Sequence, residues 1–553
     1  MYVCGPTVYN RIHIGNARTF ISFDIIRRYL EWRGYDVTFV QNVTDVDDKI
    51  IKRACEEGRS AEELACEYTQ LFIDDMHRAG VADPTIRPRA TQEIDTMIEL
   101  IERLIEGGYA YVSDGDVYFA VRTYNDYGKL SGRNIDDAQA GHRELRGDEA
   151  TTTETLKDRK RDPLDFALWK TAKMGEPAWD SPWGAGRPGW HIECSAMSHK
   201  YLGTPFDIHG GGSDLIFPHH ENECAQAQAA YGCTFANHWM HSGMLQIANA
   251  DTGEVEKMSK SLNNFLLLHE ALDIVRPEAL RMLMLQTHYR SPLVFGDARL
   301  SEANAALTRI ETAVKNVDWM LGRVESSVIE SEDGAGNSEG VSDGEGATGD
   351  GENTHSSIDA DALNRATQIA RDSFTDSMDD DFNAPLALGA IFTLVTELNS
   401  ATTNKILTCA DVPAVKNARD TIVELMGCFG IDVAGEAESS RNANIGTGGQ
   451  DANSNANCAG AGASAGEADT SKVDAGMADD GAHYPDAILT LAQDITGYDG
   501  SNKADAAQTL LDARAKARAE KNWDVADSVR DGLTSLGFKI EDTPQGARVS
   551  FEG

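Results

Sequence analysis

Two lysines and two hydroxyls fall within five residues at Lys257-Met258-Ser259-Lys260-Ser261, followed by Leu262-Asn263-Asn264. A loop of that composition can lie over a triphosphate and neutralise the charge that develops as pyrophosphate leaves an α-phosphate. Far upstream, His13-Ile14-Gly15-Asn16 follows Pro6-Thr7 at the start of a helical pattern. Helix N-termini present free N–H groups and a positive dipole, so they attract phosphate, and Gly15 lets a ligand come close to the backbone. Taken alone, these four residues read equally well as an ordinary helix start with a surface histidine. A third segment, His209-Gly210-Gly211-Gly212-Ser213-Asp214, places glycines after a predicted strand. Such a run admits a nucleotide, and Asp214 can accept hydrogen bonds from ribose hydroxyls; the plain alternative is a glycine turn.

Metal-ligand types form a second group. His219 and Glu223 are four apart in Pro218-His219-His220-Glu221-Asn222-Glu223, which on a helix puts both side chains on one face. Cys4 and Cys194 each sit near the end of a predicted strand, and parallel strands end at the sheet edge where ligands bind. Zinc accepts thiolate, imidazole and carboxylate together. Other candidates lie beside these four, namely His191, His220 and Cys224, and a buried small hydrophobe is the plain reading of either cysteine. The sequence by itself leaves the choice open. Toward the C-terminus, Arg514, Lys516, Arg518, Lys521, Trp523, Asp527 and Arg530 combine cations with an aromatic ring, a pattern that suits RNA backbone contact and base stacking as well as a solvated helix face.

The elements that must position these residues begin with a strand at Tyr2-Val3 and a helix from near Asn16, with Ile21, Ile25 and Tyr29 at four-residue spacing. Gly34 is a natural stop and Val37 to Val40 a short β-rich run, so the chain opens with a βαβ unit of a parallel sheet. Residues 110–185, rich in Trp, Pro and Gly toward their end, read as an inserted module, with the sheet pattern resuming at Trp190 to Cys194. The expected class is α/β: a Rossmann-like parallel-sheet catalytic domain over 1–300, a helical bundle over 301–432, and a small α+β domain over 485–553. In that last domain three helices precede a hairpin at Phe538–Ile540 and Val549–Phe551. Residues 325–357 and 433–484 are Gly-, Ser-, Asp- and Glu-rich with few apolar side chains, and are predicted to be disordered.

Together and in this order, the first two motifs resemble the HIGH and KMSKS signatures of class I aminoacyl-tRNA synthetases, with Asn16 in place of the final histidine. Cys4-Gly5-Pro6-Thr7, Gly186-Arg187-Pro188-Gly189-Trp190-His191-Ile192-Glu193-Cys194 and Phe217-Pro218-His219-His220-Glu221-Asn222-Glu223 are similar to the cysteinyl-tRNA synthetase family. The resemblance covers about 1–322, 359–430 and 488–553. It implies one zinc ion per chain held by Cys4, Cys194, His219 and Glu223, which selects the substrate thiolate over a serine hydroxyl. It implies ATP, with Mg2+, bound at Gly15, Gly212, Asp214 and Lys260, and amino-acid contacts at Thr44 and Trp190. His13 and Asn16 would hold phosphates, and Lys257 and Lys260 the developing charge. The helical bundle would then bind tRNA-Cys and the 485–553 domain would read its anticodon. The family also carries residues before the position of Tyr2, so a longer start is expected.

Composition sets the remaining bounds. At 41% hydrophobic and 25% charged the chain has the make-up of a globular protein, no apolar run approaches the length of a membrane helix, and no secretory signal is visible, so a cytoplasmic monomer is expected. Nine scattered cysteines do not form a disulfide framework. The net charge of −39 argues against a nucleic-acid partner only if it is evenly spread, and much of it lies in the two low-complexity stretches. Two other readings share parts of the pattern: a ligase that transfers activated cysteine to a sugar amine, disfavoured by the basic C-terminal segment, and a degenerate non-catalytic relative, disfavoured by the intact Lys257–Ser261 loop.

Overall fold

The computed structural model describes residues 1–134, 159–248, 255–257, 266–333, 358–435, 485–498, 500, 502–519, 522–543 and 546–551. They fall into two compact units. The first comprises Met1–Lys315, Arg365–Val395 and Ala418–Gly449, and the second Asn316–Asn364, Thr396–Asn417 and Gln450–Gly553.

The first unit opens as the sequence predicts, with β1 (Tyr2–Val3), α1 (Ile14–Trp32) and β2 (Val40–Gln41). The two strands pair in parallel, Tyr2 opposite Val40. Gly34, at φ +89°, turns the chain after α1. Helices α2 (Asp48–Glu57), α3 (Ala61–Arg78) and α4 (Ile94–Glu106) follow. An antiparallel sheet of β3 (Ala110–Ser113), β4 (Asp116–Phe119), β5 (Phe166–Thr171) and β6 (Gly186–Pro188) then interrupts the parallel one. Next come α5 (Trp190–Leu202), β7 (Phe206–Gly212), α6 (Glu221–Tyr231) and β8 (Ala236–Ser242), and the main sheet has the order β2-β1-β7-β8 with every pair parallel. Successive side chains leave opposite faces of a strand. Tyr2 accordingly joins a core with Val40, Met97, Leu168 and Ile192, while Val3 joins Phe23, Ile26 and Phe39. Both faces are covered, as a parallel sheet requires.

A second small sheet has β9 (Leu245–Ala248) between β10 (Val255–Lys257) and β11 (Leu293–Phe295), with α7 (Leu268–Ile274) and α8 (Pro277–Leu285) lying between β10 and β11 in the chain. Four longer helices complete the middle of the chain: α9 (Asp297–Asp333), α10 (Ala360–Asp379), α11 (Ala384–Thr402) and α12 (Val412–Cys428). α11 is long and apolar enough by composition to cross a membrane, against the expectation that no apolar run approaches that length. Its Leu388, Ile391, Leu394, Val395 and Leu398 are buried within the fold, as in the core helix of a bundle.

In the second unit, α13 (Ala487–Thr496), α14 (Lys503–Ala519) and α15 (Trp523–Ser535) close over Ile488, Leu510, Val529, Leu533 and Phe538. β12 (Phe538–Thr543) and β13 (Gly546–Phe551) form the predicted hairpin, Phe538 opposite Phe551.

Three expectations need correction. Trp190 to Cys194 is the first turn and a half of α5, not a strand. Residues 191–198 are all buried, so the helix shows no one-sided apolar stripe, and the alternation of Trp190, Ile192 and Cys194 imitates a strand. The predicted disorder from 325 starts too early, because α9 continues to Asp333. Extending a packed helix adds one hydrogen bond per residue without a new nucleation cost, so even a polar sequence propagates it. The linker expected from 433 also starts too early, since Val433 is 1% exposed. Residues 334–357 and 436–484, where the rest of the two stretches falls, lie outside the described residues.

Candidate metal centre and nucleotide site

Four side chains from three parts of the chain converge at the edge of the parallel sheet. Cys4 follows β1, and Cys194 lies on α5. His219 lies on the turn Ile216–His220 that leads into α6, and Glu223 on α6 itself. One ligand atom from each lies within 4.8 Å of all the others, and all four residues are buried. The Cys4 and Cys194 sulfurs are 3.7 Å apart, Cys4 Sγ lies 3.4 Å from Glu223 Oε1, and His219 Nε2 lies 2.8 Å from that same oxygen.

The local sequence explains the convergence. A Cβ at Gly5 would meet the Asn42 carbonyl oxygen at 1.6 Å, so only glycine lets the chain after Cys4 run so close to β2. A Cβ at Gly189 would lie 2.0 Å from the Ala167 oxygen. Glycine there lets α5 start hard against β5 and point Cys194 at Cys4.

The electrostatics describe a site short of positive charge. Burial, reinforced by Cys194 and Glu223, pushes the Cys4 thiol well above its ordinary range. Burial would also raise Cys194, but the hydrogen bond from Cys4 and the His219 imidazole bring it down to about 6. Burial would lower His219, yet Glu223 and Cys194 lift it to about 10. Burial would raise Glu223, but the imidazoles of His219 and His209 hold it well below the carboxylate range. The cluster therefore keeps a proton on His219 among anionic donors, the place and the charge that a soft divalent cation would take.

A ring of histidines surrounds these four. His191 Nδ1 lies 3.0 Å from His219 Nδ1, His209 Nε2 lies 2.7 Å from Glu223 Oε2, and His220 bridges Cys4 Sγ at 3.4 Å and His241 Nε2 at 2.8 Å. Burial holds His191 and His220 well below the imidazole range and His241 down to about 4. Neutral imidazoles can accept from a ligand's outer nitrogen and so fix its ring. His191 and His220 are visible in the sequence as neighbours of the ligand types. His209 appears there only inside the glycine motif, and His241 carries no local signal. Cys224, the third neighbour, does not join the group; burial pushes its thiol up to about 12, and Gln228 donates to it.

The glycine segment serves this ring as well. Gly210, Gly211 and Gly212 lie inside β7 and not after a strand. A Cβ on Gly210 would strike the Phe23 ring at 2.3 Å, one on Gly211 would lie 2.8 Å from the His220 ring, and one on Gly212 would lie 2.4 Å from Asp214 Oδ1. Asp214 itself is exposed, in the turn Ser213–Leu215. Trp190 stacks on His219, centroids 4.1 Å apart, and Thr44 is buried and donates to Glu193.

His13 is the N-cap of α1. Its Nδ1 accepts from the Asn16 N–H at 3.2 Å, and the Asn16 side-chain oxygen accepts from the His13 N–H at 3.3 Å. This reciprocal cap leaves Gly15 in the first turn. Lys257 ends β10, and Lys260 falls in 258–265, outside the described residues. The chain on the far side of that gap returns to the first motif. Ile14 N–H donates to the Leu266 oxygen at 3.1 Å, Leu268 N–H donates to the Ile12 oxygen at 3.0 Å, and His13 pairs with Leu267.

Comparison with known proteins agrees with this geometry. The family model described as tRNA synthetases class I (C) catalytic domain matches residues 1–305, a DALR domain matches 373–434, and a cysteinyl-tRNA ligase anticodon binding domain matches 503–549. The chain is 42% identical to the cysteine–tRNA ligase of Desulfitobacterium hafniense over 560 residues, covering all of this chain and 95% of the relative. It is 40% identical to that of Carboxydothermus hydrogenoformans over 551 residues, covering 99% and 94%. Among solved structures, a Mycobacterium tuberculosis methionyl-tRNA synthetase in complex with methionyl-adenylate superposes with a TM-score of 0.52 at 18% identity, over 81% of this chain and 96% of that one. A leucyl-tRNA synthetase complex from Agrobacterium radiobacter superposes with a TM-score of 0.54 at 12% identity, over 78% and 83%. At those identities the structures speak for the fold, and the sequence matches over the whole length place the chain in the cysteine–tRNA ligase family of class I aminoacyl-tRNA synthetases.

Proposed function

We propose that the chain activates L-cysteine with ATP and transfers it to the 3′ end of tRNA-Cys, choosing cysteine by its sulfur at the Cys4–Cys194–His219–Glu223 cluster. The observation that carries this reading is the buried donor set itself, two sulfurs, one imidazole and one carboxylate within mutual reach. These four residues would hold a zinc ion, which supplies a soft acceptor for the substrate thiolate and none of comparable strength for a serine hydroxyl. His191 and His209 would keep His219 and Glu223 in place as ligands, and Trp190 would form the wall over His219.

In the first step the cysteine carboxylate attacks the α-phosphorus of ATP, which enters with Mg2+. The P–O bond to pyrophosphate breaks, and cysteinyl-adenylate forms. The α1 N-terminus would meet phosphate with its positive dipole and the close approach that Gly15 allows, His13 and Asn16 would hold it with their side chains, and Lys257 and Lys260 would neutralise the departing pyrophosphate. Gly212 and Asp214 would bind the ribose. In the second step the terminal ribose hydroxyl of the tRNA attacks the activated carboxyl and AMP leaves. Positioning and charge carry the catalysis, with no covalent enzyme intermediate. The helical bundle and the 485–553 domain, where Trp523 is exposed, would bind the tRNA.

The test is charging of bulk tRNA with labelled cysteine, with serine as control and a zinc chelator in parallel. Cysteine-specific charging that fails on chelation and returns with zinc is the expected result. Charging that survives complete metal removal would end the proposed basis of selection.

A further inference from the structure

The turn between α10 and α11 places two residues with a Cβ in the left-handed region, Asp381 at φ +57° and Phe382 at φ +54°. Glycine ends a helix this way freely, and a bulky phenylalanine is a true exception there. The main-chain bonds of the turn, from the Phe382 N–H to the Met378 oxygen at 3.0 Å and from the Asn383 N–H to the Ser377 oxygen at 3.1 Å, need no side chain. Both side chains are spent elsewhere, on the segment 288–291. Asp381 Oδ1 accepts from the Tyr289 hydroxyl at 2.8 Å and from Arg290 Nη2 at 2.7 Å, and Arg290 Nε donates to the same hydroxyl at 2.8 Å. The Phe382 ring packs with Tyr289 in the core around Val3 and Phe23. Strain kept at a position where glycine would relieve it points to a contact that the molecule uses.

The main chain of the same segment meets both halves of the nucleotide site. It surrounds Arg18, which follows His13 and Asn16 on α1: Arg18 Nη2 donates to the oxygens of His288 at 3.3 Å, Tyr289 at 3.4 Å and Ser291. Arg18 is 1% exposed, and its Nε and Nη1 are buried without a hydrogen-bond partner. A buried charge is thus committed to holding this segment, at a cost in desolvation. The Gly243 N–H donates to the Tyr289 oxygen at 2.7 Å, and a Cβ on Gly243 would lie 2.3 Å from the Ser291 oxygen, so the chain before β9 is pressed against the segment as well. Beyond Ser291 the chain enters β11. There Val294 pairs with Gln246 of β9, and Gln246 pairs on its other side with Lys257 of β10.

We propose that Asp381 is a positioning residue for the ATP step: it holds 288–291 against α1 and so fixes the distance between the N-terminus of α1 and Lys257, the two groups between which the triphosphate would lie. The metal cluster is carried by other elements, the chain after β1, α5 and the turn into α6, so the hold of Asp381 bears on ATP and not on cysteine. The inference rests on the proposed reading of α1 and Lys257 as phosphate-binding groups, and adds the part that sets their spacing.

Cysteine-dependent ATP–pyrophosphate exchange on the zinc-loaded enzyme separates this role from a tie that only stabilises. Asp381→Ala and Asp381→Gly both remove the carboxylate, but alanine must be held at positive φ and glycine adopts it freely, so the glycine variant is the more stable of the two. Both should nevertheless lower kcat/KM for ATP alike, by about tenfold or more, because a misplacement of about 1 Å can cost about 100-fold, and both should leave the KM for cysteine within about twofold. Asp381→Asn keeps an oxygen that can accept from Tyr289 and Arg290 and should recover most of the loss. Arg290→Met, on an exposed side chain, should act in the same direction, and combining it with Asp381→Gly should add little, as for two ends of one contact. Activity that follows stability, with Asp381→Gly near wild type, or equal changes for ATP and cysteine, would overturn the inference. If neither Asp381 variant folds, Arg290→Met decides by the same ratio. Lys257→Ala is measured alongside. A loss of ATP affinity there with none in Asp381→Gly would overturn the inference alone, whereas unchanged ATP constants in Lys257→Ala would remove the phosphate reading of Lys257, and the inference with it.

Discussion

Asp24 and Arg281 are each 1% exposed, and they close their charges on one another at 2.5 Å. Arg281 spends its remaining protons on the backbone oxygens of Ala79, Gly80 and Phe429, and Asp24 also accepts from Arg28 and from the Ala82 N–H. Cys4, Cys194, His219 and Glu223 are as deeply buried, but their donors converge on a point with more negative than positive charge and hold a proton there. Burial has the same electrostatic cost in both places. The first group answers it from within the chain, by neutralising and saturating itself. The second leaves the answer to something from outside. A buried ionic group that is complete is a structural tie, here between α1, the end of α3, α8 and the end of α12. One that is incomplete, as here, is a candidate site for a metal ion.

Four measurements put that contrast to the test. The largest effect is expected at the incomplete cluster. Replacing an outer partner of a metal ligand typically costs 10- to 100-fold, so Cys194→Ala or His219→Ala should lower cysteine-dependent ATP–pyrophosphate exchange by more than about a hundredfold. Bound zinc should fall in parallel while the fold, read by circular dichroism, persists. Full zinc occupancy in either variant would remove that residue from the ligand set.

Asp24→Asn should do the opposite, lowering stability by about 3–5 kcal/mol because it leaves the Arg281 charge buried and unpaired. Zinc per folded molecule should not change. Denaturant unfolding with metal analysis checks both, and a loss of zinc without loss of stability would erase the distinction drawn between the two groups. Gly211→Ala links glycine and cluster. The new methyl must displace the His220 ring or Leu215, which should cost about 1–3 kcal/mol by overpacking and weaken metal binding. Unaltered stability and zinc affinity would show that β7 has more room than its geometry implies.

The smallest effect is expected at Asn16→Ala, which removes one half of the reciprocal cap on α1 and should cost about 1 kcal/mol. A parallel rise in the KM for ATP would tie the cap to phosphate binding, and no change in KM would leave Asn16 a capping residue alone.

Much of the first βαβ unit was legible in the sequence because its signals are local: the four-residue spacing of Ile21, Ile25 and Tyr29, the stop at Gly34 and the short β-rich run before Gln41. The C-terminal hairpin was legible for the same reason. Cys194 was misplaced onto a strand because a helix buried on all sides carries no amphipathic period. The glycines of β7 were read as letting a nucleotide come close, and the fold adds that a Cβ at these positions would meet Phe23, His220 and Asp214. Identity of a glycine says that a Cβ is excluded there, and only the fold says by what.

The sequence by itself determined the ligand types, the two nucleotide motifs and the class of fold that carries them, since each depends on residues close together in the chain. The tertiary structure alone decided that His209 and His241 join His191 and His220 around the metal cluster, that residues 266–268 return to pair with 12–14, and that Thr44 bonds to Glu193. Those contacts join residues up to 256 positions apart, Ile12 and Leu268, and no local pattern can encode a hydrogen bond whose partner is supplied by a distant part of the chain.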